Sequence, residues 1–472
     1  MDSKSKKQLI KKDKQNIWHP FTQMADWLNN DPCEPLIIDK AEGSYLYDID
    51  GKKYLDGVSS LWVTLLGHRN RKIDEAVKTQ INKVVHTTFL GLTHRPAIDL
   101  SEKLLKILPK NLTKIFYSDN GSTSVEAALK MAYQYWQFKG EERTSFLSLK
   151  NAYHGDTVGA VSVGGTDLFH SRFKSLLFKN YFAQSPYCYR CPHLCQGDIG
   201  FDTVSKAGSF KQHCKIMGCK GQCIKEAEDI LAENNKNIAA AIIEPLNQAA
   251  AGMIVMPKGY LKEYAALCKK YKIPLICDEV ATGFGRTGKM FAVEHEGVTP
   301  DFICLSKGIT GGYLPLAVTA TTNKIYNAFL GKYEEFKTFF HGHSYTANPL
   351  ACAAANATLD IMKRNKILQK LQPKIKHFQK ELCFLAKHRK VGNIRHCGVM
   401  AGIEIVENKK TGKPYDCKLK TGAKICAKMR KDGIIIRNLG DTLVLFLHLT
   451  MTKKEISKIT ASIHKQLDKL YK

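Results

Sequence analysis

Leu275-Ile276-Cys277-Asp278-Glu279 and Phe302-Ile303-Cys304-Leu305-Ser306-Lys307-Gly308 are two short apolar runs, each ending abruptly at an ionisable side chain. Runs of this length without polar alternation suit strands covered on both faces, the usual condition of a parallel sheet packed between helices. Further runs of the same kind stand at 114–118, 145–149, 239–244 and 316–320, with helical patterns between them. The alternation predicts βαβ units, hence an α/β fold built on a large, mostly parallel sheet.

Open sheets of this kind bind ligands beyond the carboxyl ends of their strands, so the residues that follow each run are the candidates for chemistry. Lys307 leads into Gly308-Ile309-Thr310-Gly311-Gly312. A buried amine there has a lowered pKa and can form an imine with an aldehyde cofactor, although a surface lysine in a glycine-rich loop reads the same way. Asp278 would reach the same edge, either to balance a protonated pyridine nitrogen or simply to cap the turn at Glu279. Gly121-Ser122 opens a helix whose amides can bind a phosphate, with Thr123-x-x-Glu126 matching a capping box. Tyr153 can stack on a heterocycle or pack in the core. Arg437, after 434–436, is either a bidentate fork for a carboxylate or an ordinary partnered arginine. Five such features in sequence, each at an expected strand end, make coincidence a poor explanation.

At 472 residues and 44% apolar content the chain can bury more than one core. The expected division is residues 1–65 as the N-terminal part of a small α+β domain, 66–346 as the large domain, and 347–472 as the C-terminal part of the small one. The hairpin-like 43–55, turning at Asp48-Ile49-Asp50-Gly51, belongs to the first part. No run approaches the ~20 apolar residues of a membrane span. The lysine-rich start lacks the apolar core of an export signal, which leaves a cytoplasmic location as the expectation. A formal charge of +27 invites a nucleic-acid reading, but the lysines are scattered and no basic-aromatic platform accompanies them, so neither nucleic acid nor membrane is expected as a partner.

Asp278-Glu279-Val280-Ala281-Thr282-Gly283-Phe284-Gly285-Arg286-Thr287-Gly288, followed by Leu305-Ser306-Lys307-Gly308, resembles the signature of class III aminotransferases, fold-type-I enzymes that use pyridoxal 5'-phosphate. Within that class, Ile17-Trp18-His19-Pro20-Phe21-Thr22-Gln23, Ser59-Ser60-Leu61-Trp62, Tyr153-His154-Gly155-Asp156-Thr157 and His341-Gly342-His343-Ser344-Tyr345 resemble the branch that aminates 8-amino-7-oxononanoate in biotin biosynthesis. The resemblance implies that Lys307, Asp278 and Tyr153 are catalytic. It also implies a homodimer in which Gly342, His343 and Ser344 reach the cofactor phosphate or substrate of the neighbouring subunit. Phe21, Leu61, Trp62, Tyr153 and Arg437 would line the substrate pocket. Phe21 and Leu61 stand where members using S-adenosylmethionine typically carry Tyr and Trp, so S-adenosylmethionine and lysine both remain open as amino donors. The alternatives are a class III enzyme of ω-amino acids working with pyruvate or 2-oxoglutarate, and a non-catalytic basic or metal-binding protein on the same scaffold.

Most of the fifteen cysteines sit in scattered apolar contexts, as reduced buried thiols do. Cys188, Cys191, Cys195, Cys214, Cys219 and Cys223 are instead clustered in an apparent insertion at about 187–224. Their spacing suggests a zinc or iron–sulfur centre, with reduced loop thiols as the plain alternative.

Overall fold

A computed structural model describes residues 3–194 and 208–470. Its central sheet has seven strands in the order Leu112–Ser118, Ala317–Thr322, Phe302–Leu305, Leu275–Asp278, Ile238–Ile243, Ser145–Leu149 and Tyr181–Ala183. Four of its pairings are parallel, whereas Ala317–Thr322 runs antiparallel to both of its neighbours. Period-two geometry explains why the strands are apolar throughout. Ala240, Ile242, Ile276, Phe302 and Cys304 face one core with Val125, Ala128 and Ala132 of the helix Gly121–Gln137. The intervening Ala241, Ile243, Leu275, Cys277, Ile303 and Leu305 face the other core, with Leu261 and Tyr264 of the helix Tyr260–Lys270.

Two smaller sheets flank this frame. In one, the hairpin Tyr45–Asp48 and Lys53–Asp56 is extended on its far side by Ile434–Ile435, which pairs in parallel with Leu55 and Asp56. The Asp48 carboxylate closes the hairpin by accepting from the amides of Asp50 and Lys52 at 3.1 and 2.9 Å. The other sheet orders Val391–Cys397, Met400–Ile405, Thr442–Phe446 and Arg437–Leu439, and the chain ends on the amphipathic helix Lys453–Asp468. Among the described residues, no helix is long and apolar enough to cross a membrane.

Candidate active site

Beyond Leu305 the chain leaves the sheet in a tight turn in which Lys307 adopts φ 46°, a left-handed conformation rare for a side-chain-bearing residue. The Ser306 hydroxyl fixes this turn by donating to Leu316 O at 2.9 Å. At Gly312, φ is 90° and an added Cβ would lie 2.8 Å from Thr64 Cα, so only glycine permits the loop to close on the segment behind it. Lys307 thereby lines a cavity of about 480 Å³. Burial holds its amine below the ordinary lysine value, and the nearby carboxylates of Asp278 and Glu244 only partly offset that effect.

Asp278 ends the adjacent strand and lines the same cavity at 5% exposure. The turn-capping reading holds, because Oδ1 accepts from the Val280 amide at 3.0 Å, while Oδ2 meets His154 Nδ1 at 2.8 Å. The other ring nitrogen of His154, Nε2, is buried without a hydrogen-bond partner among the described residues. Glu244, at the end of the next strand, accepts from the amides of Tyr153 and Ala249, both at 3.0 Å. Its complete burial pushes the carboxyl pKa up to about 7. Neither His154 nor Glu244 was among the expected catalytic or binding residues, although both follow strands as Lys307 does.

The helix Gly121–Gln137 is capped three residues earlier than its expected capping box. Asn120 is the cap, accepting from Thr123 N, and the Thr123 hydroxyl accepts from Asn120 N in return. Glu126 instead accepts from the amides of Gly159 and Ala160 at 2.8 and 3.2 Å, tying the helix to the segment after Tyr153. Gly121 and Ser122 lie in the first turn, whose amides have no partners within the helix, and both line the cavity. The cradle is tight: a Cβ on Gly121 would meet Val280 Cγ1 at 2.6 Å, and one on Gly155 would meet Ser122 Oγ at 2.1 Å. Tyr153 also lines the cavity; its ring lies nearly parallel to His170 at 6.5 Å, and its hydroxyl donates to Asp156 at 2.6 Å. One buried amine, one buried carboxylate, a glycine cradle at a helix N-terminus and an aromatic ring around a single cavity match the aldehyde, pyridine nitrogen, phosphate and ring face of pyridoxal phosphate.

Trp62 completes this wall. It stacks on Phe446 at 5.1 Å and 12°, with Lys307 Nζ 4.9 Å from the centre of its ring. Other residues expected at the site stand elsewhere. Phe21 and Arg437 line a second cavity of about 950 Å³ rather than the one at Lys307. Leu61 is half exposed and lines neither. Gly342, His343 and Ser344 do not line this chain's Lys307 cavity; His343 lies 3.8 Å from Asp119, beside the helix N-terminus.

The cysteine cluster requires a correction. Cys195 lies outside the described residues. Cys188 Sγ sits 3.3 Å from His213 Nε2, and Cys214, Cys219 and Cys223 pack against the large core. Among the described residues no three His, Cys, Asp or Glu side chains form a group that could hold a metal ion. Burial, with neighbouring thiols adding to it, pushes Cys214 and Cys223 up to about 12. Thiol spacing alone suggested zinc or iron–sulfur, and the described cysteines do not support either.

Sheet, lysine turn and phosphate cradle together define a pyridoxal-phosphate-dependent transaminase of fold type I. The sequence profile of the aminotransferase class-III family matches residues 28–467, and the chain belongs to that family. An adenosylmethionine-8-amino-7-oxononanoate aminotransferase of Geobacter sulfurreducens is 46% identical over 456 residues, 96% of each chain. The crystal structure of the enzyme of that name from Methanocaldococcus jannaschii superposes with a TM-score of 0.90 at 43% identity, covering 99% of this chain and 100% of that one. An (S)-enantioselective omega-transaminase of Thermomicrobium roseum superposes at 0.89 with 32% identity, covering 99% of both.

Proposed function

We propose that this aminotransferase converts 8-amino-7-oxononanoate to 7,8-diaminononanoate in biotin biosynthesis, with S-adenosylmethionine, or alternatively lysine, as amino donor. The observation that carries this reading is the likeness, at 46% identity over 96% of each chain, to a relative named for that reaction.

Bound pyridoxal phosphate supplies an electron sink for the negative charge that develops at the substrate carbon bearing the amine. Lys307 would hold its aldehyde, Asp278 its ring nitrogen, Gly121 and Ser122 its phosphate, and Tyr153 a face of the ring. Asp278 is suited to keep that nitrogen protonated because His154 and the Val280 amide fix its carboxylate at a buried strand end. Lys307, whose amine burial makes readily neutral, would carry the proton on and off the reacting carbon. Arg437, half-buried in the cavity it shares with Phe21, would anchor a substrate carboxylate.

The division at 65/66 and 346/347 forms part of the same proposal, supported by the sheet that N- and C-terminal strands share. So does a homodimer completed by Gly342, His343 and Ser344. Val85, Leu90, Leu92, Phe340 and Tyr345 are exposed, and the His86 and Tyr345 rings lie 5.1 Å apart; a second copy covering these apolar side chains fits the homodimer reading. All described cysteines are free, in keeping with a reducing cytoplasm.

Purified holoenzyme incubated with 8-amino-7-oxononanoate and each donor in turn tests the reading. Formation of 7,8-diaminononanoate is expected. Silence with both donors, together with turnover of 4-aminobutyrate and pyruvate, would replace it by the ω-amino-acid reading.

A further inference from the structure

The turn that carries Trp62 is held in an unfavourable conformation. Ser59, Ser60 and Trp62 have φ of 51°, 61° and 67°, three left-handed residues in four, and none is glycine. Such a backbone persists only where its surroundings over-determine it. Two groups do so here, from opposite sides.

From the large domain, the fully buried Arg286 donates to Trp62 O at 3.2 Å, Thr64 O at 3.0 Å, Leu447 O at 2.7 Å and Ser59 Oγ at 3.2 Å. From the hairpin strand comes Asp56, which has no exposed surface. Its Oδ1 accepts from Val58 N at 3.1 Å, and its Oδ2 accepts from Ser60 N at 2.8 Å. His68 Nε2 reaches the same Oδ2 at 3.0 Å. All of these partners can donate, so a carboxylate satisfies the set, whereas an amide would have to turn an N–H towards another donor. The turn delivers Trp62 onto Phe446, with its ring 4.9 Å from Lys307 Nζ.

We propose that Asp56, steadied by His68, is a positioning residue for amino transfer: it holds the strained Ser59–Trp62 turn so that the Trp62 ring faces the Lys307 nitrogen and forms one wall for the reacting group. The inference rests on reading Lys307 as the reacting amine. An aromatic face favours a cation on that nitrogen. Loss of the ring's position therefore lowers the pH at which the visible band of the holoenzyme titrates, while the charged groups whose fields reach Lys307, namely Asp278, Glu244, Arg286 and Asp156, stay the same.

A double-mutant cycle on holoenzyme tests this with Asp56→Asn, Trp62→Leu and the pair. Asp56→Asn is expected to lower kcat/KM by on the order of tenfold and to lower the visible-band midpoint by about half a pH unit, as Trp62→Leu does. The pair should match Trp62→Leu alone within about twofold. Additive losses, or a change in melting temperature with midpoint and kinetics untouched, would overturn the proposal and leave Asp56 a structural residue. If Asp56→Asn fails to fold, His68→Gln leaves the carboxylate in place; it should shift the midpoint in the same direction, and only when Trp62 is present. An unshifted midpoint in His68→Gln counts against the proposal as well. A visible band that survives in Lys307→Ala would instead strike at the reading of Lys307.

Discussion

Replacing Asp278 by Asn keeps the shape of the side chain and removes its charge, which makes it a direct probe of the pocket's electrostatics. The carboxylate is 5% exposed and makes its two hydrogen bonds to His154 Nδ1 at 2.8 Å and Val280 N at 3.0 Å. Removing one member of a buried charge pair costs about 3–5 kcal/mol. At ~1.4 kcal/mol per decade of rate, and with the pair fully developed only when the ring nitrogen is protonated, the half-reaction should slow by roughly 10²- to 10⁴-fold. The assay is stopped-flow decay of the visible band on mixing holoenzyme with saturating donor, with bound cofactor measured separately in the same sample. Fully loaded Asp278→Asn reacting within about threefold of the parent would refute the assignment, because a buried charge 2.8 Å from its nearest partner cannot be electrostatically silent.

Lys307→Ala should lose both the visible band and turnover, read by absorbance and product formation; retention of either contradicts its role. Arg437→Ala should raise KM for a carboxylate substrate by on the order of 10- to 100-fold with a smaller change in kcat, the cost of a lost charge-assisted hydrogen bond, as steady-state kinetics would show. Glu244 supplies a pH test. Its carboxyl is raised from 4.5 to about 7 by burial, so between those values the folded state keeps a proton that the unfolded chain has shed. Stability from this group therefore falls as pH rises through that window and levels off above 7, by up to roughly 3 kcal/mol. Glu244→Gln adds a constant penalty for its lost acceptor but removes the slope, so melting curves of the cofactor-free proteins at pH 5 and pH 8 should converge at the higher pH; parallel behaviour would refute the raised value. Elemental analysis of fresh protein should return no stoichiometric zinc or iron, and one equivalent of either would reinstate the metal reading.

Strands buried on both faces announce themselves. Ser145–Leu149, Leu275–Asp278 and Phe302–Leu305 are residue for residue where their apolar runs lie, because no polar alternation blurs their ends. Tyr181–Ala183 went unread, being three residues long at the sheet edge among lysines. Nor does composition encode direction, so the antiparallel Ala317–Thr322 was invisible as such. The short link through 306–316 held the clue, since a parallel crossover needs a dozen or more residues. At the site, residues immediately after strands were legible. Contacts between distant elements, such as His154 with Asp278 or Arg286 with Leu447, were not, because spacing along the chain carries no information about which tips converge.

The cysteine-rich stretch 187–224 shows the same limit from the other side. Its spacing drew attention to thiols, yet a residue that ties it to the small sheet is an arginine. In the turn Cys188–Arg190, Arg190 Nε donates to Glu404 Oε1 at 2.7 Å, and the neighbouring Tyr187 hydroxyl reaches the other oxygen of the same carboxylate. Arg395 donates to that oxygen too, at 2.6 Å, and anchors itself on Gly252 O. Glu404 thus joins this stretch to the small sheet through two guanidinium groups, and with Arg190 it lines the cavity that Arg437 and Phe21 share. A buried carboxylate between two arginines is costly to disrupt one partner at a time. Arg190 accordingly shapes the wall of that cavity through charge and hydrogen bonding, a connection that follows from the fold and that no spacing of cysteines could have revealed.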